Sequence, residues 1–346
     1  MRLGARRQRR ALVLLALALA GSVIVALGVG AVSVSPAESL RLVGWKLGLL
    51  DRPGVPPSTE VILFALRLPR VLLAAFVGAA LATSGAVFQG LFRNPLADPA
   101  IVGVSSGAAL GAIAVIVLGG AGILGGTAIT VAAFAGALLT ALLVYRLARV
   151  GPSVHVATLL LAGVAVAAVV SAAISIVMSL SGEQIRSIYF WLLGGLGARG
   201  WRSIAIVAPP ILIAVVGAWL VAGDLNLVAL GEERAAQLGV DLDRFKRRST
   251  ALGALLAACA VSVAGVIGFV GLMTPHVLRL IVGADHRRLL PAVALAGPTF
   301  LILADLVART AIAPEELPVG VVTALLGGPF FLWLLRRERR RAAGVA

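Results

Sequence analysis

The chain has 346 residues, 60% hydrophobic and only 13% charged, with 40 glycines and a formal net charge of +15. So little charge cannot cover a water-soluble domain of this length, which excludes soluble enzymes and soluble binding modules. The basic residues sit in tails and short loops between apolar blocks, the positive-inside pattern of membrane proteins and not a nucleic-acid surface.

In chain order, Met1–Arg10 is an arginine-rich tail and Ala11–Val32 an apolar run. That run exceeds the roughly 7–15 residues of a signal-peptide core, so a retained first span is expected. Further apolar blocks follow at Val71–Phe88 (with an amphipathic lead-in), Ala100–Leu118, Ile123–Tyr145 and Val156–Leu180. The second half gives Ile204–Val221, Leu252–Phe269, a short Leu272–Val282, Leu289–Leu306 and Val319–Leu335. Most have the roughly 18–25 residues that cross about 30 Å of hydrocarbon. The pattern predicts an all-α, polytopic fold of ten transmembrane helices, not the short alternating strands of a barrel. Leu272–Val282 contains Pro275 and is too short for a straight crossing, a segment tolerated only where protein or a water-filled cavity surrounds it.

Arginine placement orients the chain. Arg2, Arg6, Arg7, Arg9 and Arg10 at one end, and Arg336, Arg337, Arg339, Arg340 and Arg341 at the other, assign both tails (1–10 and 336–346) to the cytoplasm. Ten spans, an even number, satisfy that. The loops carrying Arg93, Arg146 and Arg149, Arg287 and Arg288, and the long loop 223–249 with Arg244, Lys246, Arg247 and Arg248, are then cytoplasmic. Ser33–Glu60, Gly119–Gly126, Ser181–Arg202 and Thr310–Pro318 fall outside. Residues 1–346 read as one transmembrane domain. Gly85–Pro95 and Gly265–Pro275 share length, opening glycine and closing proline, and five spans separate them, which suggests an inverted repeat of the kind common in transporters.

No Gly-x-x-x-x-Gly-Lys-Ser/Thr stretch occurs, so a nucleotide-driven reaction needs another polypeptide. The longest cytoplasmic loop contains Leu230-Gly-Glu-Glu-Arg-Ala-Ala-Gln-Leu-Gly239, polar and helix-prone, either a solvated loop or a contact for such a partner. Arg67 and Arg70 precede the second span and Arg309 follows the ninth, against the positive-inside rule. They either snorkel (Arg67, Arg70) or pair at i,i+4 with Asp305 (Arg309), or they meet carboxylates of a partner. Asn94, Asp98, Ser105 and Ser106, near the second–third junction, are either costly polar residues of a pathway or turn and helix-start residues, and Asp98 before Pro99 looks like a helix N-cap. Cys259 reads as a small buried side chain, and His155, His276 and His286 form no metal-ligand spacing. An ion-coupled secondary transporter would need ionisable residues deep in the spans, where this chain has almost none.

These motifs, with Leu66-Arg-Leu-Pro-Arg70, Asn94-Pro-Leu-Ala-Asp-Pro99, Gly103-Val-Ser-Ser-Gly107, Pro275-His-Val-Leu-Arg279 and Glu316-Leu-Pro-Val-Gly320, resemble the FecCD family. That family comprises permease subunits of importers for iron–siderophore, heme and cobalamin. The resemblance implies a homodimer in the inner membrane, with two ATPase subunits below it and a substrate-binding protein above. ATP and magnesium would belong to the ATPases, leaving this chain without a cofactor, a metal or a catalytic residue. It implies ATPase coupling through Gly231, Glu232, Glu233, Arg234, Gln237, Leu238 and Gly239. Binding-protein docking is implied at Arg67, Arg70 and Arg309. A pathway or gate is implied at Ser153, Thr158, Ser171, Ser175, Met178, Ser179 and Thr323, beside Val319 and Leu326. Gly107–Ala112, Asp285–Pro291 and Gly327–Trp333 look closest to heme permeases, with siderophore and cobalamin as alternatives.

Overall fold

A computed structural model describes residues 2–30, 32, 34–119, 126–150, 153–197 and 199–342. Most of the turn expected at Gly119–Gly126 lies outside them, as do the side chains of Ser153, Arg2, Arg6, Arg7, Arg337, Arg339, Arg340 and Arg341. Each of the ten apolar blocks is helical over most of its length. The helices are α1 (Arg2–Gly28), α2 (Pro36–Lys46), α3 (Pro57–Leu91), α4 (Val104–Val117), α5 (Gly126–Leu147), α6 (Val156–Leu180) and α7 (Ile185–Leu192). They continue with α8 (Trp201–Leu220), α9 (Ala222–Val228), α10 (Glu232–Gln237), α11 (Leu242–Ala264), α12 (Val270–Val282), α13 (His286–Thr310) and α14 (Val319–Ala342). A two-residue antiparallel pair, Arg149–Val150 with Ser153–Val154, links α5 to α6. Among the described residues, six helices are long and apolar enough to span a membrane, and Val104–Val117, Val270–Val282 and Val319–Leu334 are shorter apolar helices. The protein is a polytopic helical membrane protein.

Several boundaries differ from the sequence reading, each for a local reason. The segment 33–60, expected outside, holds helix α2, started by a reciprocal capping box between Ser35 and Glu38 with Pro36 at the first position. The segment 181–202 holds the short amphipathic α7. The block Leu252–Phe269 is helical from Leu242, because Asp241 caps the Arg244 N–H, and stops at Ala264. Residues 265–269 are non-helical, and Phe269 takes a left-handed φ of 67°. Ala100–Leu118 splits into a 3-10 turn over Pro99–Val102 and then α4. Asp98 caps that turn, its carboxylate accepting the Ala100 N–H at 2.8 Å.

Helix α3 is the axis of the core, wrapped by α8, α11, α12 and α13. Its glycines set how close these neighbours come. Gly78 lies on the backbone of Gly297 in α13 and Gly85 on the backbone of Gly271 in α12, with no room for a methyl at either crossing. Small residues at crossings are how helices pack in lipid, where water exclusion no longer drives association. One turn further, Gln89 donates to the carbonyls of Gly271 and Leu272, at 3.4 and 3.1 Å, and accepts from Arg279. The two segments that echo each other in sequence therefore meet in the core.

Near its start α3 widens into a π-helical turn over Ile62–Arg67, with Leu68 N–H reaching back to Leu63 O. Pro69 explains it. In a regular α-turn its ring would press on the Ala65 carbonyl, and in the wider turn it has no N–H for the carbonyl of Phe64, to which the Trp201 indole N–H donates at 2.9 Å instead.

Candidate functional site

The bundle has two chemically distinct ends. At one, the start of α1 (Gln8, Ala11) shares a cleft with Arg279 and Arg288, near the connections α9, α10 and the start of α11. Here α10 is a six-residue polar helix held between two positive-φ glycines, Gly231 at 115° and Gly239 at 90°. It closes in a Schellman motif: Val240 N–H bonds Ala235 O at 3.0 Å and Gly239 N–H bonds Ala236 O at 2.9 Å. A glycine fits that left-handed position without the clash that a Cβ would bring. Glu233, Arg234, Gln237, Leu238 and Gly239 are exposed, and Ala235 is buried. Glu232 differs from its neighbours. Its carboxylate turns inward to Lys246 of α11, at 2.6 Å.

At the opposite end, Arg67, Arg70, Arg309, Arg199 and Glu316 line one cleft of about 520 Å³. The three arginines singled out from sequence are brought together there, and each already has partners in the chain. Arg67 donates to the carbonyls of Leu27 and Gly28 at 2.7 and 3.1 Å and also to Val32 O, and Arg309 donates to Ala26 O. Both thus cap the last turn of α1, where helical carbonyls have no internal donor and the helix dipole favours a cation. Neither snorkels: Arg67 is 6% and Arg309 8% exposed. Arg70 grips Asp305 of α13 with Nε and Nη2, at 2.9–3.0 Å, and Glu316 with Nη1, at 2.8–2.9 Å. The i,i+4 pair of Arg309 with Asp305 is present but long, at 3.9 Å, because Asp305 is committed to Arg70. A second cleft continues from Arg70, Arg199 and Glu316 to Gly265 and Val319 at the start of α14.

Of the residues expected to line a pathway, all but Ser153 fall on α6 and α14. Ser171, Ser175 and Ser179 are exposed on α6, Thr158 and Met178 are half-buried, and Ser153 lies in the short strand ahead of it. The hydroxyls turn onto their own helix: Ser175 donates to Ser171 O at 3.0 Å and Ser179 to Ile176 O at 2.8 Å. Thr323 does not line an open surface. It is fully buried and bonds Gly320 O at 3.0 Å. Val319 is likewise buried, and Leu326 is exposed. On α6, Leu161, Val164, Val169, Ile176 and Leu180 are all exposed, and it is the least buried of the long spans.

Two features escaped the sequence reading. One is the Glu232–Lys246 pair, whose lysine looked like one more positive-inside charge. The other is Asn226 of α9, which donates to Asp285 at 2.6 Å and accepts from the His286 backbone N–H at 2.8 Å. The His286 ring Nδ1 lies 2.9 Å from the same Asn226 oxygen. A single asparagine in a polar loop carries no spacing signal that would predict this junction. Among the described residues no group of three or more His, Cys, Asp or Glu could hold a metal ion. His276 stacks edge-on against Phe330.

Comparison with known proteins gives a consistent picture. The profile described as the FecCD transport family matches residues 14–337. The chain is 50% identical over 289 residues to the cobalamin import system permease protein BtuC of Halobacterium salinarum, covering 84% of this chain and 77% of the relative. It is 46% identical over 282 residues to the hemin transport system permease protein HmuU of Yersinia pestis, covering 81% and 84%. Among solved structures, a metal-chelate type ABC transporter in an inward-facing conformation aligns with a TM-score of 0.83 at 33% identity, covering 95% of this chain and 99% of that one. PsaBC from Streptococcus pneumoniae in complex with Fab aligns with a TM-score of 0.53 at 17% identity, covering 76% and 88%, a likeness of fold alone.

Proposed function

Given that the chain belongs to the FecCD transport family of ABC transporter permease subunits, which transport and are not enzymes, we propose that it imports a metal-bearing macrocycle, heme or cobalamin. Two copies would form the passage, two partner ATPases would supply the energy, and a substrate-binding protein would deliver the cargo. The observation that carries this reading is α10, a polar helix set between glycines and displayed beside the arginine-rich loops, as a docking element for another protein would be. Glu233, Arg234, Gln237 and Leu238 offer the contact to the ATPase, framed by Gly231 and Gly239, with Glu232 behind them. This end, which carries the start of α1 and the arginine-rich loops, faces the cytoplasm.

The cleft of arginines is the docking mouth for the binding protein. A carboxylate arriving there competes with buried backbone carbonyls for Arg67 and Arg309. For Arg70 it competes with Glu316, which is 47% exposed, so Arg70 exchanges partners most readily. The apolar face of α6, left open by the single chain, meets a second copy and the passage between the two. Ser171, Ser175, Ser179 and Thr158 supply its few polar points, Met178 and Thr323 back it from inside, and Ser153 stands at its entrance from the cytoplasm. Hydroxyls bonded to their own backbone leave a weakly interacting wall, suited to release of a large cargo.

The names of the relatives support heme and cobalamin over a siderophore, and both cargoes are metal-bearing tetrapyrrole-type macrocycles. The test is ATP-driven uptake by proteoliposomes holding this chain with its ATPase and binding protein, offered hemin, cyanocobalamin or a ferric hydroxamate. Uptake of hemin or cyanocobalamin is expected. Uptake of the hydroxamate alone would reject the substrate class, and uptake driven by an ion gradient without the ATPase would reject the mechanism.

A further inference from the structure

The coupling helix has to pass its displacement to the membrane helices, and the chain contains few bonds that can carry it. Helix α10 joins α11 through only Leu238, Gly239, Val240 and Asp241, a turn containing a left-handed glycine that bends easily. A second connection bypasses that turn. Glu232, the first residue of α10, binds Lys246 in the second turn of α11 at 2.6 Å, and the lysine side chain is only 9% exposed. Beside it, Ala235 of α10 and Phe245 of α11, both buried, join one apolar cluster with Leu225 and Val228 of α9. Together the ion pair and the cluster make α10 and the start of α11 one body.

Helix α11 then runs 23 residues, about 35 Å at 1.5 Å per residue, through the core. It ends at Ala264, beside Gly265 in the cleft that also holds Arg70 and Glu316. One rigid helix therefore connects the coupling helix with the opposite mouth. Building on the permease reading above, we infer that Lys246 is the positioning residue that locks the coupling helix to α11 and makes α11 the lever between the ATPase side and the outer mouth. The lysine lies between α10 and α11 with its side chain enclosed. It acts through Glu232, whose carboxylate it withdraws from the exposed surface. An exposed ion pair would contribute little, but a lysine this enclosed loses its only described partner when Glu232 is neutralised, and the cost of an unpaired buried charge favours separation of the two helices.

The test uses the assembled complex of this chain with its ATPase and binding protein in proteoliposomes, reading cargo moved per ATP hydrolysed together with the amount of ATPase that co-purifies. Lys246→Met should lower cargo per ATP about tenfold with the ATPase still bound, within the usual span of coupling between distant sites. Lys246→Arg, and the swap Glu232→Lys with Lys246→Glu, should restore most of it, a recovery that a merely space-filling lysine would not produce. Unchanged coupling in Lys246→Met overturns the inference, as does an equal loss in Lys246→Arg and in the swap when both assemble. If Lys246→Met fails to assemble, Glu232→Gln decides: coupling lost supports the lever, and coupling retained overturns it. A wild-type complex that moves none of the three cargoes on ATP would fail the permease reading instead, a result distinct from any of these.

Discussion

Helices α3 and α6 are both long and apolar, and α6 is the more apolar of the two, yet they live in opposite surroundings. Within its most apolar stretch, 78% of α3 is buried in the protein against 11% of α6. The difference lies in how the apolar residues are cut. Helix α3 carries Gly78 and Gly85 where two neighbours cross it, so that backbones touch. Helix α6 presents branched side chains at Leu161, Val164, Val169 and Ile176 that reach outward. Hydropathy measures the cost of meeting water and is blind to whether the apolar neighbour is lipid, a second copy or the same chain.

The contrast can be broken most violently at the crossing of α3 and α12. Gly85→Val forces a branched side chain against the Gly271 backbone, which cannot yield as a flexible side chain would. Destabilisation of about 3 kcal/mol or more is expected, visible as a large drop in the melting temperature of the detergent-solubilised protein. Melting like the wild type would mean that the crossing is looser than described. Next comes Arg70→Met, which leaves Asp305 only the long contact to Arg309 at 3.9 Å and should cost about 2–3 kcal/mol, less than the loss of a buried ion's sole partner. Adding Asp305→Leu should return at least half of it in the same melting assay, and no recovery would mean that the arginine acts elsewhere.

On α6 the same class of change should hardly register in the single chain. Leu161→Ser is expected to shift its stability by less than about 0.5 kcal/mol, the usual range for surface positions. The same face should announce itself between copies: Val164→Cys, in a Cys259→Ser background, should form a cross-linked dimer under mild oxidation. A chain that stays monomeric on gels would remove the second copy from this face. The smallest effect is expected from Ser175→Ala, less than a twofold change in uptake, since the hydroxyl is already bonded to Ser171 O. A large loss would show that the cargo takes that hydroxyl for itself.

Much of this was legible in the sequence. The ten apolar blocks, the polar decapeptide ending at Gly239 and the N-cap at Asp98 are local signals, and local physics produces them. Arg67, Arg70 and Arg309 were expected on one side of the membrane, and the i,i+4 pair of Arg309 with Asp305 was foreseen, but their meeting in one cleft and their other partners were not. Their acceptors are backbone carbonyls at the end of α1 and the carboxylates of Asp305 and Glu316, and a carbonyl leaves no trace in a residue pattern. Lys246 was hidden for the opposite reason. It lies among Arg244, Arg247 and Arg248, and its burial and its pairing with Glu232 set it apart from them.

The cap on α1 also bears on how the chain is built in time. Arg67 lies 40 residues beyond the Leu27 carbonyl that it satisfies, whereas Arg309 lies 283 residues beyond that of Ala26. During synthesis the first helix can be latched soon after it enters the bilayer, but its second latch must wait until α13 has been made and inserted. Until then the Ala26 carbonyl lacks its arginine, and the two latches of α1 close at widely separated moments of assembly.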